Sequence, residues 1–300
     1  MIEITHRAVI LENMLDRKSL QEFTLKVHAL TDKKTPSFHV VLGSGFGSAL
    51  EQAIPPTWKR RGGFSFSEIS GIQKVSVPDH AGRFEILEHA SGKCVIFQMG
   101  RLHGYEGIAP SEVVAPVILA RELGVTRFVL TNASGGITAG YNAGDAMIIR
   151  DQVNMTGRNP LEGANPLSLK SGEPRGPRFP DMSRLYSPEL SQKLKSALEK
   201  NQVRVHEGIY LGILGPSFET PAEVQLFSRW GMDAVGMSTV WEAIALGHSG
   251  AEICGLSLIS NPACGLGDGT PLDHHVIVDA CRAAAGKIIR GVFGLIDVSL

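Results

Sequence analysis

Short apolar runs alternate along the 300-residue chain with segments in which apolar residues recur at helical spacing. The runs that end in turn residues predict strands over residues 38–42, 86–90, 94–99, 128–131, 209–214, 234–237 and 253–260. The helical spacing predicts helices over residues 111–123, 188–200, 221–230, 242–248 and 276–292. The alternation of strands with helices indicates an α/β fold with a mostly parallel sheet.

The order of elements shows no internal repeat, low-complexity segment or domain boundary. We therefore expect a single domain over residues 1–300, with a helical N-terminal segment over residues 1–35. Residues 159–180 are dense in proline, glycine and arginine and form the one long irregular stretch. A loop of that length is usually functional, with disorder as the alternative.

Composition limits the partners that this chain can have. The 29 Lys and Arg residues nearly balance 30 Asp and Glu, giving a formal net charge of −1, and the hydrophobic fraction of 43% suits a globular core. No overall positive field favours nucleic acid or an anionic membrane surface. Any anionic ligand must therefore be held locally.

The cysteines and the first residues bear on location. Cys94, Cys254, Cys264 and Cys281 form no CxxC pair and no zinc-type spacing, so we expect buried thiols in a reducing compartment. Charges interrupt the first 18 residues, which argues against a signal peptide, and no apolar run approaches the length of about 20 residues that spans a bilayer. The sequence predicts a cytoplasmic protein.

The first predicted strand runs into GSGFGS, residues 43–48. Its glycines allow backbone amides to converge on an anion, and the Ser44 hydroxyl adds a donor. Ser48 stands where the dinucleotide pattern GxGxxG needs a third glycine, and no P-loop lysine follows. The motif predicts either an anion-binding turn or an ordinary tight turn.

A second loop, GRLHGYEG at residues 100–107, follows the predicted strand at 94–99. The planar fork of Arg101 can hold phosphate oxygens, with about 1.5–3 kcal/mol for each charge-assisted hydrogen bond. His103 can donate a further bond to the same anion, and a solvated polar loop is the alternative. Upstream, VPDHAGR presents His80 and Arg83, which either approach this anion or lie at the surface.

The remaining strand ends carry small, aromatic and polar residues. TNASGG permits close approach of a ligand to the amides of Ala133 and Ser134, or forms an ordinary glycine loop. GPSFET sets Phe218 beside Glu219, a combination that suits a flat heterocycle, although a core phenylalanine and a helix N-terminal glutamate are the alternatives. GMSTV follows another apolar run and offers Met237 and Ser238.

Asn261 ends the last predicted strand, and its amide can both donate and accept, as a purine edge requires. Asp273, His274 and His275 follow in the same loop. Neighbouring histidines in one loop seldom complete a metal site, and no third spaced ligand follows. No metal is predicted.

Seven strings together carry a resemblance to a known family: GSGFG, VPDHAGR, GRLHGYEG, TNASGG, GPSFET, GMSTV and the Asn261 loop. In this order they resemble the trimeric, 6-oxopurine-specific purine nucleoside phosphorylases, over about residues 36–290. The resemblance implies a single α/β domain with a mixed, partly barrel-like central sheet flanked by helices. It also implies no metal or organic cofactor, inorganic phosphate as co-substrate, and a homotrimer whose active site lies near the subunit interface.

The resemblance also assigns roles, residue by residue. It implies that phosphate is held by Ser44, His80, Arg101, His103, the Ala133 amide and Ser238. It places the ribose against Tyr105, the Met237 backbone and His274, and the purine against Phe218, Glu219 and Asn261. Asn261, Glu219 and His103 are the implied catalytic residues.

The chain departs from the family pattern in the long loop and near the ribose. Counting back from RFP at residues 178–180 reaches Arg175, where the family commonly places an aromatic that covers a neighbouring subunit's ribose. Trp241 stands where a proline is expected, and His275 adjoins His274. The predicted helix that follows favours His274 for the 5′-hydroxyl.

The implied reaction is reversible phosphorolysis of purine (deoxy)ribonucleosides, such as inosine and guanosine, to free base and (deoxy)ribose 1-phosphate in purine salvage. Phosphate attacks C1′ through an oxocarbenium-like state while Asn261 and Glu219 stabilise the leaving base, so positioning and electrostatics carry the catalysis. Two alternatives stay open. One is a 5′-methylthioadenosine phosphorylase, which would favour aspartate at position 261; the other is a non-catalytic nucleoside-binding or storage protein of this fold.

Overall fold

The computed structural model describes residues 15–77, 80–266 and 274–300, with the side chains of Ser48, 274–281 and 283 left out. The helices of these ranges are α1 (Arg17–Thr31), α2 (Leu50–Ala53), α3 (Pro110–Val113), α4 (Ala115–Leu123), α5 (Pro188–Lys200), α6 (Pro221–Arg229), α7 (Val240–His248) and α8 (His274–Asp297). The strands are β1 (Phe38–Leu42), β2 (Trp58–Ser65), β3 (Arg83–His89), β4 (Cys94–Met99), β5 (Arg127–Gly136), β6 (Ala146–Asn154), β7 (Val205–Gly212), β8 (Ala234–Gly236) and β9 (Glu252–Pro262).

The strands form one nine-stranded sheet in the order β2-β3-β4-β1-β5-β8-β7-β6-β9, and β9 pairs back with β5. Five strands therefore close into a ring, while β1, β4, β3 and β2 extend from it as an open sheet. The pairs β1–β4, β1–β5, β5–β9, β6–β7 and β7–β8 are parallel, and β2–β3, β3–β4, β5–β8 and β6–β9 are antiparallel. The mixed, partly barrel-like sheet is confirmed, and parallel pairs outnumber antiparallel pairs by five to four.

Helices cover both faces of the sheet. The helices α1, α4 and α7 pack on one face, and α2, α5 and α8 pack on the other. Within β1, Val41 faces the first layer and Val40 the second, as the two-residue period of a strand requires. Burial on both faces explains why β1 is apolar at every position except His39.

The structure corrects several predicted boundaries. TNASGG, residues 131–136, lies inside β5, because its small side chains let the backbone leave β1 and pair with β8 and β9. The helix predicted at 111–123 is divided at Val114 into α3 and α4. The strands β2 and β6 were not predicted: β2 is an edge strand with mostly polar side chains, and β6 is buried only over its first four residues.

The described residues also bear on the thiols and on membrane insertion. Cys94 and Cys254 are buried free thiols, whereas Cys264 is only partly buried. Burial raises the pKa of the Cys254 thiol to about 12. No helix in the described part of the chain is long and apolar enough to cross a bilayer.

Candidate active site

One pocket of about 120 Å³, open to solvent, collects the motifs from the strand ends. It lies beyond the carboxyl ends of β1, β4 and β7 and beside the last residues of β5, β8 and β9. Ten of the twelve predicted site residues line it: Ser44, Arg101, His103, Tyr105, Ala133, Phe218, Glu219, Met237, Ser238 and Asn261.

Arg101 is the cation of this pocket, although its side chain is almost fully buried at 1% residual exposure. Its Nη2 donates to Oε2 of Glu242 at 2.9 Å and its Nε to Oε1 at 3.4 Å, while Nη1 donates to the Thr131 carbonyl at 2.5 Å. Gly43 gives the guanidinium room, because a Cβ at that position would lie 2.7 Å from Nη1. Among the described residues, protein acceptors satisfy three of the five guanidinium N–H groups, which leaves two for a ligand.

Three rings stack beside this arginine. The centroids of His80 and His103 are 5.0 Å apart, and those of His103 and Tyr105 are 4.6 Å apart. His80 Nε2 lies 3.1 Å from Ser44 Oγ, and its Nδ1 lies 2.9 Å from the carbonyl oxygen of Arg101. His80 therefore stands behind Ser44 and Arg101 and holds them, rather than lining the pocket itself.

Glu106 fixes the orientation of His103. One carboxylate oxygen accepts from the His103 backbone N–H at 2.8 Å and lies 3.3 Å from His103 Nδ1, and the other accepts from the Ser76 N–H and hydroxyl. Burial opposes ionisation, but these hydrogen bonds outweigh it and lower the pKa of Glu106 to about 2. A carboxylate only accepts, so Nδ1 carries the hydrogen and Nε2 of neutral His103 is the acceptor.

Burial keeps both histidines of the stack neutral near pH 7. It lowers the pKa of His80 to about 3, helped by the neighbouring His103, and it also lowers the pKa of His103 despite the Glu106 hydrogen bond. The formal charges around the anion side of the pocket are thus one guanidinium against the carboxylates of Glu106 and Glu242.

The Ser238 hydroxyl is held by the turn between β8 and α7. Thr239 has a φ of 74°, which a β-branched residue rarely adopts, and its Oγ1 lies 3.2 Å from Ser238 Oγ. Asn132, buried at 1% exposure, donates from Nδ2 to the Thr239 hydroxyl at 2.9 Å and accepts from Ser257 of β9. These hydrogen bonds from β5 and β9 stabilise the strained turn.

The aromatic and amide groups of the pocket are less constrained. Phe218 is 40% exposed, which excludes the alternative of a core phenylalanine. Glu219 is 7% exposed, and burial raises the pKa of its carboxyl above the ordinary value. Asn261 donates from Nδ2 to the Pro262 carbonyl at 2.7 Å and accepts from the Ser260 hydroxyl at 2.6 Å. Its remaining amide hydrogen is free to meet a ligand.

Four further residues of the sequence analysis lie away from the pocket or have side chains outside the described residues. The Arg83 side chain is 45% exposed and pairs with Glu85 at 2.7 Å, so it is a surface group. Arg175 donates to Glu122 at 3.0 Å and to the Leu167 carbonyl at 2.9 Å, both in its own chain. The side chain of His274, which begins α8, lies outside the described residues, as does the side chain of His275.

Sequence reasoning missed the residues that hold the pocket's polar groups. Glu106 follows His103 by three residues and closes a capping box with it, a spacing that could have indicated the contact. Glu242 and Asn132 had no such local signal, because they reach their partners across 141 and 107 residues of chain.

Comparison with known proteins decides the family. The phosphorylase superfamily model matches residues 61–294. Purine nucleoside phosphorylase 1 of Geobacillus stearothermophilus is 38% identical over 265 residues, which cover 87% of this chain and 91% of that protein. The purine nucleoside phosphorylase of Mus musculus is 37% identical over 265 residues, covering 87% and 89%. The chain belongs to the purine nucleoside phosphorylase family.

Solved structures agree with this family assignment. A schistosoma purine nucleoside phosphorylase in complex with hypoxanthine superposes with a TM-score of 0.79 at 25% identity, over 95% of this chain and 99% of that one. The Schistosoma mansoni purine nucleoside phosphorylase in complex with adenosine gives a TM-score of 0.78 at 25% identity, over 94% and 98%. The resemblance of the seven strings to purine nucleoside phosphorylases and the predicted fold are confirmed, and the enzymes of this family are pentosyltransferases.

Proposed function

We propose that this protein catalyses the reversible phosphorolysis of purine nucleosides, such as inosine and guanosine, to free base and (deoxy)ribose 1-phosphate. One observation carries the proposal: a buried guanidinium with two free N–H groups shares a pocket with a half-exposed phenylalanine, a buried carboxylate and an amide. The guanidinium suits a tetrahedral anion, and the phenylalanine, carboxylate and amide together suit a flat heterocycle.

Phosphate binds in the phosphate half of the pocket, which comprises Ser44, Arg101, His103 and Ser238, with the Ala133 amide beside them. The Arg101 fork and the two hydroxyls donate to its oxygens. His103 presents Nε2 as an acceptor, so it takes a hydrogen bond from a protonated phosphate oxygen or accepts that proton, with Glu106 balancing the imidazolium charge. Phosphate held in this way is the nucleophile at C1′, and no side-chain nucleophile is required.

The leaving base binds in the purine half of the pocket, which comprises Phe218, Glu219 and Asn261. Phe218 stacks on the ring, Glu219 accepts from the N1–H of a 6-oxopurine, and Asn261 donates to the 6-oxygen while accepting from N7–H. Adenine offers an acceptor at N1 and a donor at position 6, which leaves polar groups unpaired at about 1–3 kcal/mol each. The ribose lies between the halves, against Tyr105 and the Met237 backbone, with His274 at its 5′-hydroxyl.

The test is release of free base from inosine, guanosine, adenosine and 5′-methylthioadenosine, each with and without inorganic phosphate. We expect cleavage of inosine and guanosine that requires phosphate. Equal cleavage of adenosine or of 5′-methylthioadenosine would contradict the 6-oxopurine preference, and the adenosine complex of the Schistosoma mansoni relative makes that arm necessary. Nucleoside binding without any release would favour the binding or storage protein.

A cytoplasmic homotrimer accompanies the proposal. It is supported by the family resemblance, by the free thiols and by the loop at 159–180, where Phe179 is 89% exposed. The Arg175 side chain is bound within its own chain, whereas Phe179 is the most exposed of the large apolar side chains described in this loop and is available to a neighbouring subunit. Sedimentation that found a stable, active monomer or hexamer would refute the trimer.

A further inference from the structure

Two consecutive residues at the start of α7 hold the loop that carries Arg101, His103 and Tyr105. Glu242 binds the loop at its first residue, through the two hydrogen bonds to the Arg101 guanidinium at 2.9 and 3.4 Å. Both side chains of this ion pair are only 2% exposed. A buried guanidinium with a bidentate carboxylate partner has one orientation, so Glu242 determines where the two free N–H groups of Arg101 point.

Trp241 binds the same loop three residues further on. A Cβ added at Gly104 would lie 2.5 Å from Cη2 and 2.8 Å from Cζ3 of the Trp241 ring. The indole therefore packs directly against the backbone of Gly104, the residue that separates His103 from Tyr105 along the chain. Position 104 has no room for a side chain because the indole, together with Leu214 Cδ1 at 2.8 Å from such a Cβ, fills the space where one would extend.

The far edge of the indole is fixed as well. Trp241 is 5% exposed, and its Nε1 donates to the Thr156 hydroxyl at 2.9 Å and to the Arg158 carbonyl at 3.2 Å. Asn154, the last residue of β6, accepts from the Thr156 N–H and hydroxyl and donates to the Arg158 carbonyl. The ring is thus clamped between the end of β6 and the loop that carries His103, which makes it a spacer of fixed thickness.

We propose that Trp241 and Glu242 are positioning residues for phosphate. Glu242 orients the Arg101 fork, and Trp241 fixes the position of the loop backbone that carries His103 and Tyr105. The inference rests on the proposed function. Ser238 lies three residues before Trp241 in the same segment, so the start of α7 aligns the donors that surround the anion. Neither residue needs to touch phosphate for this role.

The experiment is titration of inorganic phosphate into the full chain by calorimetry, with hypoxanthine titration as a second readout. The variants are Glu242→Gln, Trp241→Phe and Trp241→Leu. Matched controls are Glu85→Gln, whose carboxylate is 4% exposed and paired with Arg83 at 2.7 Å, and Trp58→Phe, whose indole is 4% exposed and donates to Asp297 at 2.9 Å. Both controls remove similar buried groups far from the pocket.

We expect Glu242→Gln and Trp241→Leu to weaken phosphate binding about tenfold or more while hypoxanthine binding changes less than twofold, with Trp241→Phe between them and wild type and with both controls unchanged. Retained hypoxanthine binding shows that a variant is folded. Phosphate binding equal to wild type in both Glu242→Gln and Trp241→Leu overturns the inference and leaves the proposed function standing. Failure of the wild-type chain to bind phosphate overturns both.

A double variant isolates the packing step. Gly104→Ala alone should weaken phosphate binding, since its methyl group meets the indole and Leu214 Cδ1, and it should cost less in the Trp241→Leu background, where only the Leu214 contact remains. Additive losses in the double variant would contradict the role of Trp241 as a spacer.

Discussion

The phosphate half and the purine half of the pocket differ in how many of their polar side chains already have partners within the protein. Arg101 and His103 are 1% and 6% exposed and bind Glu242 and Glu106. Phe218 is 40% exposed, and the buried Glu219 carboxylate has no side-chain partner among the described residues. The phosphate half is organised before a ligand arrives, whereas the purine half is completed by its ligand.

This difference separates catalytic power from selectivity. Donors that are fixed in advance need no reorganisation when charge develops, which favours rate. Buried groups that wait for a partner penalise every ligand with the wrong pattern of donors and acceptors, which favours discrimination. Substitutions in the two halves should therefore produce different kinetic signatures.

The largest effect is expected from Arg101→Ala. It removes two donors to phosphate, together worth about 3–6 kcal/mol or about 10²–10⁴-fold, and leaves Glu242 buried without its cation. The KM for phosphate should rise far more than the KM for inosine in initial-rate measurements that vary each substrate. Arg83→Ala is the control, because its exposed ion pair lies outside the pocket. Equal effects on the two KM values would remove Arg101 from the phosphate half.

A smaller, selective effect is expected from Asn261→Asp. The aspartate keeps acceptors and loses the donor to a 6-oxygen, so the ratio of kcat/KM for inosine to that for adenosine should fall by about 5–150-fold, the equivalent of one hydrogen bond. Glu219 still opposes adenine, so the preference should not reverse. The measurement is kcat/KM for both nucleosides at saturating phosphate, and an unchanged ratio would show that Asn261 does not read position 6.

The sequence predicted the pocket's lining better than its support. Arg101 and Ser238 each lie two residues after the end of an apolar strand. Because strand ends converge in an α/β sheet, the position of these residues along the chain was enough to predict that they share one pocket. Glu242 meets Arg101 only after the ring of strands has closed. Pairing at that distance depends on sheet order, which apolar periodicity does not encode. The unpredicted β2 and β6 have the same cause, since edge position and partial burial weaken the apolar signal.

Neutralising Glu106, which holds His103 of the phosphate half, and neutralising Glu219 of the purine half should change thermal stability in opposite directions. The first variant is Glu106→Gln. Hydrogen bonds lower the pKa of Glu106 to about 2 from an ordinary 4.5, so its contribution to stability is complete above about pH 4.5 and is lost as the pH falls towards 2. At pH 7 the glutamine variant should unfold at a lower temperature, with about 1–3 kcal/mol lost for the weakened acceptor. Thermal unfolding at pH 7 that matches wild type would mean that the ion contributes nothing.

Glu219→Gln should have the smallest effect and the opposite sign. Burial raises the pKa of Glu219 in the folded chain above its ordinary 4.5. Between the pKa of the unfolded chain and that of the folded chain, the folded chain binds more protons, so stability falls as the pH rises from one to the other. At pH 7 the charged carboxylate is buried with its own backbone N–H as donor, and glutamine removes the cost of burying the charge. In phosphate-free and purine-free buffer the variant should therefore unfold at a temperature equal to or a few degrees above wild type, since about 1 kcal/mol moves Tm by about 2–4 °C.

The pH dependence and a ligand distinguish this explanation from a general improvement in packing. The difference in Tm should shrink as the pH falls towards 4.5, because the raised pKa of Glu219 favours the protonated carboxyl in the folded state. Adding hypoxanthine should reverse the order, because its N1–H supplies a further donor to the Glu219 carboxylate and wild type gains more stability from it. A glutamine variant that is less stable than wild type at pH 7 without ligand would show that the purine half, like the phosphate half, is satisfied by the protein before the base arrives.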